Sequence, residues 1–271
     1  MNNKPAVKIT RIENLDQPLY RIFPLWFFEE ALRTKNLAFV PPRRWPDPYE
    51  DVCSNVIMSD QRHPGSPQKE LQGYLSPALA QCWSFENNSD ILLRAYSNVT
   101  LDPHSKRNTE PGREGVRVQT TPRRLIHAFN QAAPKLPNYR FYLGKVIYGQ
   151  SNQITQHVTN TIHSSGAAKA GEGDSRADLL FLKRDYFRHE EEVRALAIGT
   201  PGLAASDILY VPFDPNYVIQ EVEFDPRLIT FESREREEQA RKLGYTGQFS
   251  ERSEAIGIFF HVVLPDGWGD D

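Results

Sequence analysis

The run Glu190-Glu191-Glu192-Val193-Arg194 concentrates acidic side chains and one arginine in a short stretch of chain. If this run is a β-strand, the alternation of side chains places Glu190, Glu192 and Arg194 on one face. Like charges at that spacing repel each other, so something must stabilise them. A cationic or sugar-like ligand is the functional alternative, and an internal arginine–carboxylate network is the structural one. The pattern alone leaves both open.

Two further acids, Asp47 and Glu50, lie in a loop bounded by prolines. They suit a divalent metal, a helix cap, or ion pairs with Arg43 and Arg44, and metal ligation is the least favoured of these. Together with Glu190 they would also suit a metal-dependent nuclease. Because the histidines show no metal-ligand spacing and neither cysteine has a neighbouring base, we predict no metal site and no cysteine nucleophile.

The composition is that of a globular cytoplasmic protein. A chain of 271 residues with 39% hydrophobic residues can bury a real core. A formal net charge of -3 provides no bulk basic field for nucleic acid. Two cysteines are too few for a disulfide framework, and the chain shows neither a secretory leader nor a run of about 20 apolar residues. Glycine-rich phosphate loops and the Gly-x-Ser-x-Gly elbow are missing, which disfavours kinase, GTPase, dinucleotide-fold and hydrolase functions.

The elements that must position these groups alternate along the chain, which predicts a single α+β domain over residues 18–271. We expect a mixed or antiparallel sheet with flanking helices and loop insertions near residues 102–114 and 164–175, after a flexible segment at residues 1–17. Hydrophobic alternation and turn residues predict the strands, which are residues 18–23, 37–40, 81–85, 115–119, 143–148, 192–198, 208–211, 217–224 and 256–264. Three-and-four spacing and capping residues predict the helices, which are residues 25–35, 90–97, 121–129, 154–162, 177–187 and 233–243, with a helical turn or two within residues 75–80.

Several separated phrases resemble a bacterial family known as domain-of-unknown-function family 2971. The resemblance rests on five phrases in a fixed order, which are Leu19-Tyr20-Arg21-Ile22, Pro46-Asp47-Pro48-Tyr49-Glu50, Cys82-Trp83-Ser84, Leu92-Leu93-Arg94-Ala95-Tyr96 and Glu190-Glu191-Glu192-Val193-Arg194. The chain departs from the family at Leu93, where the family has Trp, and at Pro46, where it has Asn. Residues 100–114 resemble an insertion.

The order of these strands in turn resembles that of ADP-ribosyltransferases, whose core strands carry an Arg or His, a Ser or Tyr, and a Glu. The resemblance implies NAD as substrate and transfer of ADP-ribose, as a toxin or defence effector, to a macromolecular acceptor, either protein or nucleic acid. In that interpretation Glu192 stabilises the oxocarbenium-like state and Glu190 orients or deprotonates the acceptor. The implied NAD-binding residues are Arg21 for the pyrophosphate, Ser84 for the ribose, and Tyr20, Trp83 or Tyr96 for the nicotinamide ring.

A second hypothesis belongs to a different class, a non-catalytic interaction or regulatory module of a defence or mobile-element locus. It is motivated by the three departures from the family phrases, at Leu93, at Pro46 and at residues 100–114, and a closed ion network of Glu190, Glu192, Arg21 and Arg194 without a cleft would favour it. Each residue also has a structural alternative of its own: Arg21 pairs with Glu50 or Glu192, Ser84 is a small packing residue, and Trp83 and Tyr96 belong to the core. The sequence does not choose between the two, and it leaves the acceptor and the oligomeric state open.

Overall fold

The computed structural model describes residues 6–59, 63, 65, 67–87 and 89–250. Within that part of the chain the helices are α1 (Leu25–Thr34), α2 (Asp90–Tyr96), α3 (Pro122–Ala132), α4 (Ser151–Ser165), α5 (Ala167–Ala170), α6 (Gly173–Leu180), α7 (Pro215–Val218) and α8 (Thr230–Lys242). The strands are β1 (Val7–Thr10), β2 (Leu19–Pro24), β3 (Asn36–Phe39), β4 (Ile57–Met58), β5 (Lys69–Glu70), β6 (Ala78–Ser84), β7 (Gly115–Thr120), β8 (Tyr139–Lys145), β9 (Ile147–Gly149), β10 (Leu182–Arg184), β11 (Glu192–Gly199), β12 (Leu209–Pro212), β13 (Glu221–Phe224) and β14 (Gln248–Phe249).

The main sheet has eight strands in the order β1-β8-β11-β6-β2-β7-β13-β14. The pairs β1–β8 and β13–β14 are parallel and the other neighbours are antiparallel, so the sheet is mixed. Three two-stranded ribbons, β9–β10, β3–β12 and β4–β5, lie outside it. With helices flanking the sheet, the α+β class predicted from the sequence is confirmed.

Strand β11 lies inside the main sheet between β8 and β6, and all eight of its residues are buried. Val193 and Ala195 belong to the larger core, which includes Phe28 of α1 and Phe129 of α3. Leu196 belongs to a smaller core that also holds residues of α6. Because both faces of β11 are covered, any charged side chain it carries must find partners inside the protein.

Local signals in the sequence place several helix ends correctly. The Ser89 hydroxyl accepts a hydrogen bond from the backbone N–H of Leu92 at 3.1 Å and caps α2 as predicted. Thr121 caps α3, with Pro122 in the first helical position. Gly244 follows the end of α8 with a φ of +92°, a left-handed conformation that glycine adopts without a steric penalty.

Other expectations were wrong. Strand β1 lies within residues 1–17, which the sequence predicts to be flexible, and it pairs with β8. The polar sequence around β1 gives no sign of this pairing. Residues 78–80 belong to β6 rather than to a helical turn. The helix predicted at residues 177–187 ends at Leu180, and β10 and a 3-10 helix (Asp185–Glu190) follow it. Part of the expected flexible tip at residues 164–175 is helical, in α5 and the start of α6. The strand predicted at residues 256–264 lies outside the described residues.

None of the helices in the described ranges is both long enough and apolar enough to cross a bilayer.

Candidate functional site

Three distant stretches of the chain meet in one row of the main sheet. Strands β11, β6 and β2 are neighbours, and Ser84 of β6 pairs with Glu192 on one side and with Tyr20 on the other. Directly paired residues of antiparallel strands project from the same face of a sheet. The register therefore brings together the backbone positions of three predicted site residues that are far apart in sequence.

Glu192 is the centre of a buried ion cluster. One carboxylate oxygen accepts a hydrogen bond from Arg194 Nε at 2.7 Å, and the other accepts one from Lys183 Nζ at 2.7 Å. Arg194 is 0% exposed and Glu192 is 1% exposed. The two cations outweigh the cost of desolvation and lower the pKa of Glu192 to about 2, so this carboxylate is ionised at neutral pH.

Glu50 completes the inner part of the cluster. Its carboxylate lies 3.1 Å from Lys183 Nζ and forms an ion pair with Arg194. Burial, assisted by the negative charge of Glu192, raises the pKa of Glu50. The sequence left three roles open for Glu50: metal ligand, helix cap, or partner of Arg43 and Arg44. In the structure Glu50 pairs instead with Lys183 and Arg194.

Glu190 joins the cluster from outside the strand. The sequence pattern predicts an extended chain from Glu190 onward, whereas Glu190 ends a 3-10 helix and Glu191 turns the chain with a φ of +43° before β11 begins. Its carboxylate still reaches Lys183 Nζ at 2.7 Å, and 19% of its side chain remains exposed. Glu190 is therefore the carboxylate of the cluster that reaches solvent most openly.

The charges of this cluster do not cancel. Three carboxylates, those of Glu50, Glu190 and Glu192, face two cations, Lys183 and Arg194. With all five groups ionised, one negative charge is left over in a region of low dielectric constant, where it acts strongly on a nearby cation.

Backbone and ring contacts fix the cluster in place. Arg194 Nη1 donates to the carbonyl oxygen of Leu180 at 2.6 Å, and its guanidinium lies 5.3 Å from the centre of the Trp45 ring. The backbone N–H of Glu192 donates to the Tyr148 hydroxyl at 2.8 Å. Cys82 lies beside the Glu192 carboxylate, and burial raises the pKa of its thiol well above the ordinary range, so it stays protonated.

Ser84 connects the sheet to the segment that carries Glu190. Its hydroxyl donates to the carbonyl oxygen of Glu190 at 2.5 Å and accepts from the backbone N–H of Glu86 at 2.8 Å. Ser84 is 7% exposed. In the structure as it stands, the hydroxyl positions Glu190 through its backbone.

Arg21 is not part of the ion cluster. Its guanidinium lies over the rings of Phe23 at 5.1 Å and Trp83 at 5.9 Å, and it forms no ion pair with a carboxylate of the described residues. The structural alternative in which Arg21 pairs with Glu50 or Glu192 is therefore wrong. Burial lowers the pKa of Arg21, with Cys82 and Tyr96 as its main electrostatic neighbours.

Tyr96 is an electrostatic neighbour both of Arg21 and of the acids of the cluster. The phenol interacts electrostatically with Cys82, Glu190 and Glu192, and desolvation together with these neighbours raises the pKa of Tyr96 to about 12. Half of its side chain is exposed, so the prediction that Tyr96 belongs to the core was wrong. Trp83, by contrast, is 3% exposed and packs in the larger core, as the structural alternative expected. Tyr20 is half-buried, with the Arg117 guanidinium 5.5 Å from its ring centre.

Asp47 caps a short helix and pairs with an arginine. Its carboxylate accepts from the backbone N–H of Tyr49 at 3.0 Å, capping the 3-10 helix Pro48–Asn55, and from Arg184 Nε at 2.9 Å. Within the described ranges no three His, Cys, Asp or Glu residues are arranged to hold a metal ion. The geometry gives no support to the nuclease alternative based on Asp47, Glu50 and Glu190.

Lys183 is the residue that sequence reasoning missed. The sequence predicts a helix over residues 177–187, and a lysine on such a helix is ordinarily exposed to solvent, so Lys183 was not expected to be buried. In β10 it lies between two partly or fully buried neighbours and is 5% exposed. Its coulombic attraction to Glu192, Glu50 and Glu190 outweighs desolvation and raises the pKa of Lys183.

No family model matches this chain, and no curated protein matches it either. The resemblance to family 2971 therefore stays a prediction. Among solved structures, the chain is similar to DarT of Thermus sp. 2.9 in complex with ADP-ribosylated ssDNA, with 14% sequence identity over 90% of this chain and 98% of that chain and a TM-score of 0.34. It is similar to the same protein in complex with carba-NAD+ (13% identity, 88% and 96% covered, TM-score 0.34) and with NAD+ (14% identity, 90% and 98% covered, TM-score 0.33). TM-scores this low carry no argument about chemistry.

Proposed function

We propose that this chain is an ADP-ribosyltransferase-like enzyme that transfers ADP-ribose from NAD to a macromolecular acceptor. The observation that supports the proposal is the cluster of three carboxylates and two cations, whose most exposed carboxylate, Glu190, is an electrostatic neighbour of the exposed Tyr96. Cleavage of the bond between nicotinamide and ribose develops positive charge on the sugar. Fixed negative charge in a region of low dielectric constant stabilises such a state without reorganisation.

The roles proposed from the sequence are refined by the contacts of each residue. Both oxygens of Glu192 are occupied, so Glu192 acts through its fixed charge and by holding Lys183 in place. Glu190 faces the substrate. As nicotinamide departs with the electrons of the C–N bond, an acceptor hydroxyl or amine bonds to the ribose carbon, and Glu190 takes the proton that the acceptor releases.

Arg21 and Tyr96 supply the proposed NAD-binding surface. The Arg21 guanidinium has no carboxylate partner within the described residues, so its donors are available to a pyrophosphate. Tyr96 offers an exposed ring on which nicotinamide could stack, on the side of the acids. Ser84 supports this surface by holding the Glu190 backbone. In a cell, such an activity would consume NAD and modify macromolecules, which fits a toxin or defence effector.

The test compares nicotinamide release, and transfer of labelled ADP-ribose to protein, RNA and single-stranded DNA, among the wild type, Glu190→Gln and Glu192→Gln. Glu191→Gln is the matched control, because Glu191 lies between the two but pairs with Lys145 outside the cluster. We expect Glu190→Gln to lower release by about 100-fold or more, as for loss of a general base, and Glu191→Gln to leave it unchanged. Because Glu192→Gln removes a buried partner and threatens the fold, the decision rests on Glu190. Equal release by the Glu190 and Glu191 variants would reject the proposal.

The second candidate is a non-catalytic interaction module. The observation that favours it is the saturation of Glu192, which has both oxygens bonded and is almost fully buried. In that case the wild type releases no nicotinamide above the background without protein. The Glu190 variant would then differ from the wild type only in stability.

A further inference from the structure

A polar cavity of about 200 Å³ lies near the first residue of β6, at the end of that strand opposite Ser84. Its lining residues come from five separate stretches of the chain and include Arg43, Asp51, Ser76, Arg176, Leu203 and Ser206. None of them belongs to the Glu190 and Glu192 cluster. The cavity therefore needs an explanation of its own.

Two buried polar atoms of this lining have no hydrogen-bond partner among the described residues, the hydroxyl oxygen of Ser76 and Nε of Arg176. Ser76 is 3% exposed and Arg176 is 2% exposed. Buried donors in proteins are almost always paired. Two such donors in the lining of one cavity indicate that an acceptor absent from the polypeptide completes them.

The other groups of the lining do not supply that acceptor. Asp51 is already engaged, since it accepts from Arg176 Nη1 and Nη2 at 2.6 Å each and from the Ser54 hydroxyl at 2.8 Å. Cys53 does not line the cavity, and its thiol makes a side-chain hydrogen bond with Arg176. Because burial raises the pKa of this thiol to about 11, it stays neutral and is a weak acceptor.

The net charge of the lining favours an anion. Asp51 neutralises Arg176, which leaves Arg43 as an exposed cation with no ion pair in the described part of the chain. The next residue, Arg44, forms an ion pair with Asp207 and does not line the cavity. Among the described residues, the cavity is therefore lined by the unpaired cation Arg43 and by the two residues with unpaired donors, Ser76 and Arg176.

We propose that this cavity binds a small oxyanion, a phosphate or a carboxylate group, through Ser76, Arg176 Nε and Arg43. The site is separate from the proposed NAD-cleaving site and does not depend on that activity. It is nevertheless connected to the ion cluster through the chain, because Asp51 of the cavity directly follows Glu50 of the cluster.

The experiment titrates the full chain with inorganic phosphate in one arm and with acetate in the other, at constant ionic strength set with chloride. Thermal unfolding and calorimetric binding are the readouts. We expect a saturable rise in Tm in at least one arm, and a response to phosphate alone or to acetate alone identifies which oxyanion the site takes. Arg43→Ala and Ser76→Ala should each weaken the anion affinity about tenfold or more, whereas the control Arg44→Ala should bind as the wild type does.

Ser76→Ala also tests the site without any ligand. Because the Ser76 hydroxyl has no partner, its removal should leave the Tm in chloride unchanged, so loss of anion binding by this variant cannot be ascribed to misfolding. Absence of a saturable shift in both arms would overturn the proposal and show that the cavity holds only water. Equal anion affinity of the Arg43 and Arg44 variants would overturn it as well.

Discussion

Glu192 and Arg194 lie two residues apart on β11, and their side chains bond to each other at 2.7 Å in the most deeply buried strand of the main sheet. Side chains two residues apart on a β-strand lie on the same face, which makes this contact possible. Burial makes it necessary, because neither charge has access to water. One arginine does not suffice for Glu50, Glu190 and Glu192. The contribution of Lys183 from another strand decides whether the cluster is stable.

Replacement of Lys183 by Met should destabilise the protein strongly. Three carboxylates would then face one cation, and breaking a buried pair costs about 3–5 kcal/mol. The matched control is Lys145→Met, which breaks the half-exposed pair with Glu191 and should cost about 1 kcal/mol or less. Urea unfolding of both variants measures the difference. Equal free energies of unfolding would show that the Lys183 contacts add nothing to stability.

The cluster should also make the protein sensitive to acid. Folding lowers the pKa of Glu192 to about 2, below its ordinary value of about 4.5, so the folded state binds the proton less tightly than the unfolded chain does. The stabilisation is therefore complete above the unfolded pKa and is lost as the pH falls toward 2, by on the order of 3 kcal/mol. Unfolding free energies measured between pH 6 and 2, for the wild type and for Glu13→Gln as an exposed control, test this. A wild-type stability independent of pH in that range would contradict it.

Much of this site could be predicted from local patterns. The spacing of the acidic run identified Glu190, Glu192 and Arg194, whereas Ser84 was implied by the family resemblance. The register places Ser84 beside Glu192. The period-two pattern of a strand is a local property, so it can be recognised in a single sequence. The order of the three strands in the sheet came from the family resemblance and not from the residues.

The parts that were missed depend on tertiary contacts. Lys183 and Glu50 reach Glu192 from other segments, and no local pattern reports such a distance. The left-handed turn at Glu191 also has no signal in the sequence, because glutamate rarely adopts positive φ. For Arg21, the residue type suggested an ion pair, whereas the fold surrounds it with aromatic rings.

The proposed role of Arg21 can be separated from stability. Because Arg21 forms no ion pair with a described carboxylate, Arg21→Ala should change the free energy of unfolding by about 1 kcal/mol, from lost packing on two rings. If Arg21 grips the pyrophosphate, the same variant should raise the KM for NAD at least tenfold with a smaller change in kcat, and Arg21→Lys should rescue it poorly. Arg33→Ala, at an exposed helical pair, is the control. An unchanged KM for NAD in the alanine variant would remove Arg21 from the proposed site.

Tyr186 should contact the acceptor of the proposed reaction. It is 81% exposed in the 3-10 helix that ends at Glu190, and the Arg184 guanidinium lies 5.7 Å from its ring centre. An aromatic ring so exposed costs free energy in water and gains it by packing against a partner. Tyr186→Ala should therefore lower transfer of ADP-ribose to the macromolecular acceptor about tenfold, while nicotinamide release with water as acceptor stays within twofold of the wild type. Tyr210→Ala, at an exposed tyrosine of β12, should alter neither rate. A parallel fall of both rates in the Tyr186 variant would place this ring at NAD and not at the acceptor.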